Sequence, residues 1–384
     1  MYDLLWLLLP VAAASGWIAA RRAAPSGEQP QCPEQRDSGY FKGLNYVLNE
    51  QPDKAIDLFV KMVEVDHETV ETHLALGNLF RRRGEVDRAI RIHQNLISRD
   101  TLSPQQRALS LLELGQDYMR AGLFDRAENL FQELVESGFH REQALHNLRT
   151  IYEQEREWDK CLETARRLEQ VSGQRLCTEQ AHYHCEKADL AYAAGATEEA
   201  IEQINRARRC NEGCVRATML LGQMEMDQRE WQRAITTLLR VETLDATYFP
   251  VVLPDLLKCH QRLASQSTLR QELQRIFERR RGRAELLTLT DLIQSEEGDE
   301  IALSFLSNHL QQHPSLEGIE RLISLDLKTL PDHDHGGTLR VIRPLISQLI
   351  EHRTVFQCQR CGFSARDLHW QCPGCKSWHS IKPT

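Results

Sequence analysis

The chain has 384 residues, 41% hydrophobic and 27% charged, with a formal net charge of −8. That length suits an extended array with a small appendage better than one compact core. The acidic balance argues against a general polyanion binder, because phosphate contacts need a basic surface. Residues 4–20 read LLWLLLPVAAASGWIAA, without a charge, and Arg21-Arg22 follow at once. At 1.5 Å per residue this run reaches roughly 25 Å, the short end of a bilayer span. A cleaved signal peptide would carry its basic residues before the apolar run, whereas here Asp3 precedes it. Residues 1–22 therefore read as a retained single-pass anchor, with everything after Arg21 on the cytoplasmic side. Residues 23–36, polar and with three prolines, form a linker.

Residues 37–247 carry a repeat. Small residues stand twelve apart at Gly43/Ala55, Gly77/Ala89, Gly115/Ala127 and Gly222/Ala234, with a weaker copy at Ala188/Ala200. The first two copies are offset by 34 residues and the third by 38. Self-similarity at this period predicts stacked helical hairpins in which a small residue on each helix lets the pair close up, with Phe59, Phe80, Tyr118 and Phe131 filling in beside. Ala127, Leu130, Phe131, Leu134 and Val135 make one apolar stripe of a second helix. Gly84, Gly122 and Gly195, each five residues before the repeat's alanine, suit the turn between helices. The pattern resembles the tetratricopeptide repeat, with about six copies over residues 36–240. It departs at Arg149, where the small residue is missing, and at Cys161, which replaces the alanine. By register, the inner helices of such an array turn Asn78, Arg81, Gln116, Met119, Asp189, Tyr192, Gln223 and Met226 toward a groove that would take protein partners.

Over residues 248–352 the signature decays but helical stretches continue, and Ala302 to Pro314 keeps the repeat's spacing, so divergent hairpins are expected. Pro250 and Pro254 are expected to bracket a new helix start, and Leu339 to His352 to form the last helix. His333 and His335 sit in a Gly- and Asp-rich stretch that reads as a solvated loop.

Residues 353–384 are chemically the sharpest. Cys358-Gln-Arg-Cys361 and Cys372-Pro-Gly-Cys375 are two C-x-x-C knuckles ten residues apart, the pattern of a four-thiolate metal site. Zinc is expected over iron, since Lys376 stands where rubredoxins commonly have a glycine. Four protein ligands leave no open position, which makes the metal structural. A domain of this size cannot bury enough apolar surface unaided. Its Arg353, Arg360, Arg366, Lys376 and Lys382, with Phe363, Trp370 and Trp378, could face RNA or dock on the acidic helices. Nucleic acid is the alternative here and not the expected partner. The other seven of the eleven cysteines are scattered, which points to a reducing compartment and not to a disulfide framework. No G-x-S-x-G, phosphate-cradling glycine loop or H-E-x-x-H is present, so no enzyme is expected.

Together these features define an all-α tetratricopeptide-type solenoid with an N-terminal transmembrane helix and a small C-terminal zinc ribbon. The strings LLLPVAAA, Leu76 to His93, Phe356 to Phe363 and Ile381-Lys-Pro resemble the lipopolysaccharide assembly protein B family of Gram-negative bacteria over essentially the whole chain. The resemblance implies a bacterial inner-membrane adaptor, anchored through residues 4–20. It would promote degradation of the deacetylase LpxC by the membrane protease FtsH, beside other inner-membrane lipopolysaccharide-assembly proteins. The alternatives are an assembly factor that docks synthesis and export proteins, or a nucleic-acid-binding zinc-ribbon scaffold.

Overall fold

The computed structural model describes residues 34–49, 51–65, 70–329, 336–351, 353 and 355–384. The expected anchor and the loop with His333 and His335 lie outside the described residues. Among the described residues no helix is long and apolar enough to cross a membrane.

Helical hairpins follow one another along the chain. α1 (Glu34–Leu48) packs on α2 (Pro52–Val65), α3 (Val70–Arg82) on α4 (Val86–Ile97), and α5 (Pro104–Arg120) on α6 (Phe124–Ser137). α7 (Arg141–Glu155) crosses the point between Ile151 and Tyr152 at which the chain divides into two compact units. In the second unit α8 (Trp158–Ser172) leads to α9 (Cys177–Ala193) with α10 (Thr197–Cys210), and α11 (Val215–Asp227) with α12 (Trp231–Asp245). After a 3₁₀ turn at Ala246–Tyr248 come α13 (Phe249–Arg262), α14 (Gln266–Arg280), α15 (Arg283–Glu297), α16 (Asp299–Gln312), α17 (Leu316–Thr329) and α18 (Gly336–Glu351). Hairpins thus persist where the sequence period fades, with Ala302 fully buried. Pro254 differs from expectation: it lies inside α13, while Pro250 occupies the first turn, where no backbone donor is needed.

The close approach within each hairpin has a different partner from the one the spacing suggests. The alanines are fully buried, but each glycine meets the side chain four residues beyond its alanine. A Cβ on Gly115 would fall 2.6 Å from the Phe131 ring, and one on Gly222 would fall 2.5 Å from a Leu238 methyl; Gly43 and Gly77 crowd Phe59 and His93 likewise. Positions four apart share a helix face, so the alanine admits the opposite backbone and the larger side chain covers the glycine.

The inter-helix turns have one geometry with two chemistries. Gly84, Gly122 and Gly195 adopt φ of 83°, 75° and 80°, and the next N–H reaches back five residues to a carbonyl, as in Glu85 to Phe80 at 2.9 Å. Arg156, Arg229 and Ala264 do the same at φ of 59°, 62° and 52°, closed by Glu157 to Tyr152 at 2.9 Å and Glu230 to Glu225 at 2.8 Å. A Cβ in that left-handed region costs about 1–2 kcal/mol.

The C-terminal ribbon is a three-stranded antiparallel sheet in the order β2-β1-β3, with β1 (Phe356–Cys358) between β2 (Ser364–Ala365) and β3 (Ile381–Pro383). Phe356, Cys358, Cys372 and Ile381 form its core, and Val251 of α13 packs against it.

Candidate metal centre and its docking seam

The two knuckles are near copies of each other. Cys358 N–H donates to Phe363 O at 2.8 Å and Gly362 N–H to Cys358 O at 3.0 Å; Cys372 N–H donates to Ser377 O at 2.9 Å and Lys376 N–H to Cys372 O at 2.8 Å. Gly362 and Lys376, equivalent in this pairing, both take positive φ, 75° and 56°. Lys376 therefore accepts the strain a glycine would avoid.

These turns bring the sulfurs of Cys358, Cys361, Cys372 and Cys375 within 4.8 Å of one another. The closest pairs are Cys361 with Cys372 at 3.6 Å and Cys358 with Cys375 at 3.7 Å. Four sulfurs about 2.3 Å from one tetrahedral ion stand roughly 3.8 Å apart, so the set fits a single metal. Cys358 also receives the Arg360 backbone N–H at 3.4 Å and lies 3.4 Å from the Ser380 hydroxyl. That hydroxyl leads the groups that bring the Cys358 thiol down to about 6. Against the Phe363 N–H, burial and the surrounding sulfurs push Cys361 up to about 11. Crowded sulfurs that cannot all ionise together are what a cation relieves.

Trp370 and Trp378 turn out to serve docking. Trp378 stacks on His182 with centroids 5.0 Å apart and meets Tyr183 and Trp158 edge-on at 5.8 and 6.3 Å. Its indole N–H donates to Glu153 at 3.3 Å, Gln371 donates to the other Glu153 oxygen at 2.9 Å, and the Tyr183 hydroxyl donates to Glu153 as well. Trp370 stacks on Tyr248 at 5.5 Å, beneath the Arg216 guanidinium at 6.0 Å. The Tyr248 hydroxyl donates to Ile381 O at 2.7 Å, Lys382 pairs with Asp245, and Arg283 donates to Thr384 O at 2.6 Å. Burial, with Arg216 and His379 adding to it, holds His182 neutral down to about 2. Burial pushes Asp245 upward, but Lys382 and Thr247 together draw it below the usual carboxylate range.

The expected groove residues fall into different situations. Arg81 is not free to meet a partner: it donates to Glu113 Oε2 at 2.5 Å, Asp117 Oδ1 at 2.8 Å and Asn78 Oδ1 at 2.7 Å. Asp117, fully buried, also holds His93 Nδ1 at 2.5 Å. Sequence reasoning missed this network; its signal is a histidine at the position that holds Phe59 and Phe131 in neighbouring repeats. Met226 belongs to the buried core, packed with Trp231 and Ile235, because α11 turns that face toward α12. Asp189 is taken by Arg216 at 2.6 Å. Tyr192 and Gln223 come together on Asp227, at 2.7 and 3.2 Å. Gln116 and Met119 are half-buried.

A stack of tetratricopeptide-type hairpins that carries a rubredoxin-type cysteine ribbon on its own helices is a scaffold with a structural metal knot. The family described as Rubredoxin metal binding domain matches residues 356–383, Tetratricopeptide repeat families match 72–105 and 185–248, and a PPR repeat family matches 116–139. Lipopolysaccharide assembly protein B of Escherichia coli (strain K12) is 37% identical over 383 residues, covering 100% of this chain and 98% of that protein. The protein of the same name from Haemophilus influenzae is 33% identical over 391 residues, with the same two coverages. The chain belongs to the lipopolysaccharide assembly protein B family. Its relatives are named as assembly proteins and its fold is a scaffold, not an enzyme.

Proposed function

We propose that this chain is an adaptor of lipopolysaccharide assembly, held at the bacterial inner membrane by residues 4–20 with its repeats and ribbon facing the cytoplasm. In this reading it presents LpxC to the protease FtsH, and so governs how much deacetylase commits material to lipid A. The observation that carries it is the ribbon seam. A metal knot that spends both its tryptophans on the array's own helices adds rigidity to a binding scaffold. Zinc is the proposed occupant, supplying folding energy to a domain too small to fold alone. Anchoring supports the reading too, since a tether raises local concentration beside another membrane protein without a tight contact.

Of the inner-helix residues that are not buried, Gln116 and Met119 in the first unit, and Tyr192 and Gln223 in the second, are the proposed partner contacts, each unit by itself. Crosslinking the full chain in native membranes and identifying what it captures tests the proposal. Recovery of FtsH and LpxC is expected, with LpxC yield lowered by Met119→Asp. Capture of export proteins without either would favour the assembly-factor alternative.

A further inference from the structure

We infer that the cleft where the end of α10 meets Arg240 of α12 is a binding site for a phosphate-bearing ligand. Some surface arginines are held in ion pairs: Arg206 with Glu202 at 2.5 Å, Arg270 with Glu296 at 2.7 Å, Arg321 with Asp291 at 2.5 Å. Arg208, Arg209 and Arg240 are instead grouped without a carboxylate partner. They converge from two helices on a cleft of about 440 Å³, lined otherwise by Asn205 and Glu212, and among the described residues none of the three forms an ion pair.

One competing role is to offset the C-terminal end of α10, whose last turn holds Arg208 and Arg209. A helix end carries only about half a negative charge. With Glu212 counted as well, an excess of about one and a half positive charges remains in the cleft. Like charges held together in a chain of net charge −8 repel unless an anion lies among them. A carboxylate accepts one guanidinium fork, whereas a phosphate monoester offers three oxygens and nearly two charges, which suits three guanidiniums. The volume falls within the range of small-ligand sites. Asn205 and Glu212 add an amide and an acceptor for hydroxyls next to the phosphate. The site is separate from the ribbon seam and does not depend on the adaptor reading.

Calorimetric titration of the full chain in neutral detergent tests it, with pyrophosphate as the soluble probe, dihexanoyl phosphatidic acid as the headgroup probe and dihexanoyl phosphatidylcholine as the neutral control. Saturable binding of either phosphate probe, weakened about tenfold or more by Arg209→Glu/Arg240→Glu and by salt, is the expected result. Preference for phosphatidic acid would identify a lipid headgroup as the source; preference for pyrophosphate would identify a soluble phosphate. The neutral pair Arg209→Gln/Arg240→Gln repeats the test without charge reversal, and the exposed pair Arg262→Glu/Arg275→Glu controls for net charge. No heat from either phosphate probe, or equal affinity in wild type and both double variants, overturns the assignment.

Discussion

Replacing Tyr248 by phenylalanine isolates one hydrogen bond of the seam. The ring keeps its stack on Trp370 at 5.5 Å, and the lost hydroxyl had donated to Ile381 O at 2.7 Å in a buried setting. A neutral hydrogen bond contributes about 0.5–1.5 kcal/mol net, and a buried carbonyl left short of a partner raises the loss toward 1–2 kcal/mol. That corresponds to a rise of about 5–30-fold in the population with the ribbon undocked. An undocked ribbon is a small domain without its helical support, so its metal should pass faster to a competing chelator. Loading the full chain with zinc and following transfer to a coloured chelator should show an acceleration of that size in Tyr248→Phe. Tyr192→Phe, which loses a tyrosine hydrogen bond to Asp227 and none to the ribbon, should behave as wild type. Equal transfer rates in Tyr248→Phe and wild type would refute the idea that this seam holds the ribbon folded.

Other outcomes follow from the same contacts. Asp117→Asn removes the buried carboxylate that holds His93 and leaves Arg81 with the Glu113 carboxylate alone, and should lower stability in urea by about 2–4 kcal/mol, whereas an exposed acid such as Glu198 changed to Gln should change it little. Arg229→Gly should raise the thermal midpoint, since glycine adopts φ of 62° without strain and the gain is about 0.5–1 kcal/mol; a fall would mean the turn is not left-handed. His182 is neutral when stacked on Trp378, and its charged form is held off down to about 2. An undocked histidine binds a proton near 6.5, so docking is fully stabilised above that pH and weakens as pH falls from 6.5 toward 2, approaching about tenfold per unit. Tryptophan quenching between pH 7.5 and 5.5 should show the onset of that weakening, and His182→Phe should reduce it, leaving the share of His379, whose proton affinity burial also lowers.

Some of this was written locally in the sequence and some was not. Each C-x-x-C knuckle is a short loop whose ligands lie three apart, so the metal set needed no tertiary information. The glycine-alanine spacing revealed the hairpins because each pair lies within one repeat. The seam joins Trp378 to Glu153, 225 residues away, and no pattern along the chain relates them. Register placed Arg81 on an inner face but could not show that Asp117, 36 residues on, lies buried beneath it. Met226 followed the same rule and met a core instead, because the helix face turned toward α12 there is the apolar one. Arg156 and Arg229 hid two turns for a related reason: the left-handed backbone is imposed by helix packing, against the preference of the residue.

The lifetime of LpxC in living cells tests the adaptor role most directly. With synthesis halted, LpxC should persist several-fold longer when this chain is depleted, and return to its normal decay when the full chain is restored with its ribbon cysteines intact. Decay that is the same with and without the chain would contradict that role.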